Sequence, residues 1–197
     1  MNENNKKIMF TREQLAKMYE GQDKDYFPKH RDFARWYRDE YLFVNLGMLE
    51  KDEAYEENLE KYKKYWHEQK ESFRKLYRGL TFLLPYEGEN FDKLHKYKSS
   101  NIFIDKKFIS TTKDLEFAKY MVNQVHKPKL IEYCNAKKLP YYFWDVYLFF
   151  EEAAGVYIGN GCEEEVVILN PVYLITDINI PVNTEDLIVE EVHLKPV

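Results

Sequence analysis

Three carboxylates stand side by side at Glu163-Glu164-Glu165, between a glycine-punctuated turn, Gly159-Asn160-Gly161-Cys162, and a β-branched apolar run, Val166-Val167-Ile168-Leu169. The apolar run reads as a buried strand. On an extended chain side chains alternate faces, so Glu163 and Glu165 are expected to project one way and Glu164 the other. Two like charges on one face at the mouth of a buried strand repel each other and resist desolvation. Such an arrangement suits a cationic ligand or a transition state that develops positive charge; a solvated acidic strand end is the plain alternative. Two further pieces, Tyr77-Arg78-Gly79 and Ile109-Ser110-Thr111-Thr112, stand at expected strand edges. Arg78 offers a planar fork suited to bidentate phosphate contact. Ser110 has one donor and two acceptor lone pairs, enough to orient a carboxylate and accept from a second group at once. Taken singly these pieces say little, since Ser-Thr-Thr before a helix is also an N-cap pattern.

The elements that must position these residues fall into two regions. Thr11 and Gln14 form a capping-box pattern that opens a short helix with Leu15, Met18 and Tyr19 on one face. Phe33, Trp36, Tyr37, Tyr41 and Val44 recur at helical spacing, and a longer helix from Asp52 carries Tyr55, Leu59, Tyr62, Trp66, Phe73 and Leu76. That stripe is mostly aromatic, which argues for packing on a core and against a coiled coil. Beyond Phe73 the pattern turns to strands. Phe103-Ile104 and Lys107 to Ser110 read as a hairpin, and a helix is expected over residues 114–124 with Leu115, Ala118 and Val122 inward. Strands follow over residues 129–133, 142–150, 165–170, 173–178 and 187–194, with Pro128, Pro140, Pro171 and Pro181 as punctuation between them. The expected class is α+β: helices first, over residues 1–72, then a two-layer, mostly antiparallel β region over 73–197.

The 197 residues are 45% hydrophobic and 17% aromatic, ample for a sizeable core. The net charge of −5 gives no electrostatic footprint for nucleic acid or an anionic membrane. Cys134 and Cys162 make neither a metal-ligand spacing nor a disulfide framework, and His30, His67, His95, His126 and His193 are scattered. No metal, no signal peptide and no membrane span is expected, and the chain is read as a soluble monomer of a reducing, intracellular compartment. No nucleophile motif, Walker loop or Gly-x-Gly-x-x-Gly is present.

In order and at strand edges, Arg78, Ser110-Thr111-Thr112 and Glu163-x-Glu165 resemble the R-S-E class of ADP-ribosyltransferases, which includes clostridial toxins and the vertebrate arginine-specific ecto-enzymes. The resemblance covers residues 73–197; the first seventy match only the family's habit of an N-terminal helical lobe. It implies an ADP-ribosyltransferase-like fold, a helical lobe packed on a two-sheet core with an NAD cleft. It also implies transfer of ADP-ribose from NAD to an arginine of a protein partner, through an oxocarbenium-like cation. Glu165 is then the residue that faces the cation, Ser110 orients it, Arg78 takes phosphate, and Glu163 handles the acceptor. Gly79, Thr111 and Thr112 complete the expected NAD-binding set, with Phe117 or Tyr120 against nicotinamide. Glu at 163, where other members have Gln, goes with arginine acceptors. The family's usual aromatic three places before the first Glu is Asn160 here, with Tyr157 nearest. An NAD glycohydrolase using water and a non-catalytic interaction module are the alternatives.

Overall fold

The computed structural model describes residues 9–18, 26–84, 96–105, 107–159, 161–169 and 171–197. Tyr19, His95 and Asn160, named above, lie outside that set, as do the side chains of Leu15, Met18 and Cys162. The chain divides into two compact units, Met1–Lys70 with Val156–Cys162 and Glu71–Gly155 with Glu163–Val197.

The first unit is helical. Thr11 and Gln14 cap α1 (Arg12–Met18) reciprocally: the Thr11 amide donates to Gln14 Oε1 at 2.8 Å and the Gln14 amide to Thr11 Oγ1 at 3.2 Å. A 3₁₀ turn, Pro28–His30, leads into α2 (Arg31–Trp36), a π-helical turn (Tyr37–Tyr41) and α3 (Leu42–Asn45). Asp52 caps α4 (Glu53–Gln69) by accepting from the Tyr55 amide at 2.9 Å. The aromatic stripes meet as expected: Phe33, Trp36, Tyr37, Tyr41, Tyr55, Tyr62 and Trp66 are all buried. Trp36 and Tyr62 stack with centroids 4.6 Å apart, a geometry that adds about 0.5–1.5 kcal/mol to area burial. The Arg12 guanidinium ties α1 to Glu40 and to the Asp52 cap, and holds the Asp52 carboxyl down at about 2.

The aromatic stripe does not run on to Leu76. Lys70 turns extended at ψ 141°, and Phe73 and Leu76 belong to β1 (Glu71–Leu84). Two helical steps past Trp66 happen to coincide with strand positions, so the period alone could not place the boundary.

The second unit is built on strands β1, β2 (Ile102–Ile104), β3 (Phe108–Thr112), β4 (Tyr142–Gly159), β5 (Glu165–Leu169), β6 (Val172–Asn183) and β7 (Leu187–Pro196). Their order is β1-β3-β5-β4-β7-β6-β2, and β1 also pairs β4, so four strands close upon themselves. Among the strand registers described, only β4 and β7 run parallel. The architecture is α+β and mostly antiparallel. β2 and β3 are not a hairpin: β2 pairs β6, and β3 pairs β5 and touches β1 at Tyr77↔Thr112. Nor is there a strand over 129–133. α6 (Leu115–Tyr120) continues through a π-helical stretch (Met121–His126) into α7 (Lys127–Lys137). Pro128 directly follows the π-helical stretch, where the Lys127 amide donates to the Val122 carbonyl five residues back, and the helix runs on through it. Pro181 falls inside β6, at a register shift between Asn179 and Val182.

Two buried carboxylates anchor helices to the sheet. Asp145 accepts from Lys127 Nζ at 2.5 Å and from Thr81 Oγ1 at 2.8 Å. Beside it, burial and then the Asp145 charge push the Tyr147 phenol up to about 12. Glu190 accepts on one oxygen from Lys98 Nζ (2.8 Å) and Trp144 Nε1 (3.2 Å), fixing α5 (residues 96–100) to β4 and β7. No helix among the described residues is long and apolar enough to cross a membrane.

Candidate active site

Three strands bring the charged and hydroxyl residues together. β1 carries Arg78, β3 carries Ser110, and β5 opens on Glu165. The β3–β5 ladder sets Thr112 opposite Glu165 and Ser110 opposite Val167. Opposed residues share a face, and Glu165 lies two residues before Val167, so the Ser110 and Glu165 side chains emerge on one side of the sheet. There Ser110 Oγ donates to Glu165 Oε1 at 2.5 Å. Arg78 Nη1 donates to the Ser110 carbonyl at 3.0 Å. The three residues, separated by thirty-two and fifty-five positions, thus form one hydrogen-bonded chain.

Glu165 is only 2% exposed. A carboxylate in that setting keeps its position through fixed donors and is poorly screened by water, the condition under which a charge acts strongly on what faces it. Arg78 is half-buried, with one of its five N–H donors engaged by Ser110 and a fork geometry that suits phosphate oxygens.

The other residues of the set divide by what their hydroxyls and surfaces already do. Thr111 is buried and donates to the Val166 carbonyl at 2.7 Å; Thr112 is buried and donates to the Glu163 carbonyl at 2.7 Å while accepting from the Asp114 amide at 3.1 Å. Both hydroxyls thus join β3 to the chain around β5. Asp114, not Thr112, is the N-cap of α6, accepting from the Glu116 amide. On α6, Phe117 is half-buried and Tyr120 is 54% exposed, their ring centroids 6.1 Å apart.

Gly79 follows Arg78 for a packing reason. A Cβ there would stand 2.6 Å from Val122 Cγ2 and 2.7 Å from the Ala118 carbonyl oxygen. The helix backbone comes so close to β1 that only glycine fits. Gly79→Ala is expected to force the helix outward and destabilise the protein by about 1–3 kcal/mol, read as a Tm lower by several degrees. An unchanged Tm would show that the helix gives way freely.

The acidic run departs from the strand geometry expected of it. Glu163 ends a 3₁₀ turn (Gly161–Glu163), and Glu164 has a left-handed backbone with φ 44°. Regular alternation therefore begins at Glu165, and does not relate Glu163 to it. Lys113 Nζ lies 3.4 Å from Glu164 Oε1. Neither Lys113 nor the left-handed Glu164 was singled out in the sequence, and nothing in residue type signals the latter, since glutamate seldom takes that conformation. Among the described residues no group of three His, Cys, Asp or Glu side chains could hold a metal ion.

No protein-family model matches the chain. No curated protein matches it in sequence. Solved structures that resemble it include ADP-ribosyltransferases. The Vis toxin of Vibrio splendidus is 16% identical, with a TM-score of 0.48 over 100% of this chain and 88% of that one. C3larvin of Paenibacillus larvae is 16% identical, with a TM-score of 0.44 over 92% of this chain and 93% of its own. HopU1 of Pseudomonas syringae is 15% identical, with a TM-score of 0.39 over 64% of this chain; the likeness spans 47% of the HopU1 chain.

Proposed function

We propose that this chain transfers ADP-ribose from NAD to an arginine side chain of a protein, releasing nicotinamide. The observation that carries the reading is the hydrogen-bonded chain from Arg78 through Ser110 to the buried carboxylate of Glu165. The donor set fits the substrate: a planar cation for the pyrophosphate, a hydroxyl able to donate to Glu165 and accept from the ribose, and an anion for the sugar. When the bond between C1′ and nicotinamide breaks, its electron pair leaves with nicotinamide, which departs neutral, so no general acid is needed. The positive charge left on the ribose is what Glu165 stabilises. A guanidine nitrogen then bonds to C1′ and loses a proton. An arginine cannot be deprotonated beforehand, so Glu163 acts by pairing with the guanidinium and accepting the proton as the bond forms.

The test is direct. The full chain is incubated with labelled NAD and either agmatine, as a small guanidine, or a cell lysate. Label on the guanidine or on arginine residues, mapped by mass spectrometry, supports the reading. Free ADP-ribose alone assigns the acceptor to water, and the absence of nicotinamide release would end the enzymatic reading.

A further inference from the structure

Glu164 is a non-glycine residue in the left-handed region, at φ 44°. That conformation persists only where the surroundings over-determine it. Here they act on both neighbours. On the N-terminal side, Thr112 Oγ1 holds the Glu163 carbonyl at 2.7 Å, and the same hydroxyl is itself fixed by the Asp114 amide. On the C-terminal side, Glu165 is locked into the β3–β5 ladder opposite Thr112 and onto Ser110. Lys113, next along the chain, pairs with the Glu164 side chain.

The consequence concerns the two outer glutamates. Were Glu164 extended, Glu163 and Glu165 would share a face two positions apart, and each negative charge would disfavour the other. The left-handed residue breaks that relation. Glu165 stays buried against Ser110, and Glu163 remains partly open to solvent. Resting on the function proposed above, we propose that Glu164 is a positioning residue: its left-handed backbone, braced by Thr112, takes Glu163 out of strand alternation with Glu165 and so sets the partition of the ribosyl cation between guanidine and water. The Glu164 carboxylate adds little to this, since its pair with Lys113 is solvent-exposed on both sides.

A substitution series at 164 separates backbone from charge. Glu164→Asn and Glu164→Gly remove the carboxylate but tolerate the left-handed conformation. Glu164→Ala removes the carboxylate while keeping the backbone preference of glutamate, and Glu164→Val and Glu164→Thr resist the left-handed conformation because they are β-branched. With NAD and agmatine, nicotinamide release counts all cleavage and labelled agmatine counts transfer. The ratio of transfer to hydrolysis is expected to stay within about twofold of the native value for Asn, Gly and Ala, and to fall roughly fivefold or more for Thr and Val. Circular dichroism establishes folding; if the Val variant is unfolded, Thr against Asn decides. A purely structural role would lower all activities together and leave the ratio unmoved, and that result overturns the inference. A native protein that releases no nicotinamide would instead overturn the functional reading, and this inference with it.

Discussion

Glu165→Gln is expected to abolish both ADP-ribose transfer and NAD cleavage, by roughly 10² or more. Glutamine matches glutamate in size and keeps an oxygen able to accept from Ser110 Oγ, which now donates to Glu165 Oε1 at 2.5 Å. Position, packing and the hydrogen bond survive; the charge alone is lost. If the carboxylate works by stabilising a sugar cation, its loss removes an interaction made chiefly in the transition state, so kcat and kcat/KM fall together with little change in KM for NAD. Stability should move the other way or not at all. A carboxylate 2% exposed bears a desolvation penalty that a neutral amide avoids. Nicotinamide release kinetics and a thermal melt on the same preparation check both halves. An inactive variant with an unchanged or raised Tm fits the assignment; full activity in a folded variant would remove Glu165 from the chemistry.

How far this site could be read in advance depended on whether the signal was carried by residue type or by backbone. Arg78, Ser110 and Glu165 were legible as an ordered set resembling a family motif, although Arg78 and Ser110 lie within their strands and only Glu165 at a strand end; the structure brings the three into one hydrogen-bonded chain. The helical aromatic stripes were legible too: Phe33, Trp36, Tyr62 and Trp66 announce a buried face by their period. Strand partners were not. Phe103-Ile104 sits near Phe108 in sequence, yet pairs with Tyr173 and Val172; local pattern holds no information about a partner some seventy residues away. Pro128 misled because a proline inside a helix usually stops it, whereas here the helix continues past a π-helical stretch just before it. The roles of Thr112 and Glu164 stayed hidden because both arise from main-chain geometry: a hydroxyl that holds a carbonyl, and a glutamate in a glycine-like conformation.

Glu163→Gln should divide the two activities that Glu165→Gln abolishes together. Glu163 ends the 3₁₀ turn and precedes the left-handed residue, outside the β3–β5 ladder that fixes Glu165. It is half-buried, where Glu165 is not open to water at all beyond 2%. A group in the second position is poorly placed to meet an incoming arginine, while one in the first can. Replacing its carboxylate by an amide leaves the cation-stabilising charge intact, so NAD is still cleaved and water can still capture the ribose. What is lost is the acceptor for the guanidinium proton and half of an ion pair that would orient the nucleophile. General-base assistance is worth about 10²–10⁴-fold, and transfer to agmatine should fall by roughly 10² at least, with NAD hydrolysis within a fewfold of the native rate. Parallel assays of labelled agmatine and free ADP-ribose give both numbers from one reaction. Equal loss of both would place Glu163 in bond cleavage, and retention of arginine labelling would show that the first glutamate has no part in acceptor chemistry.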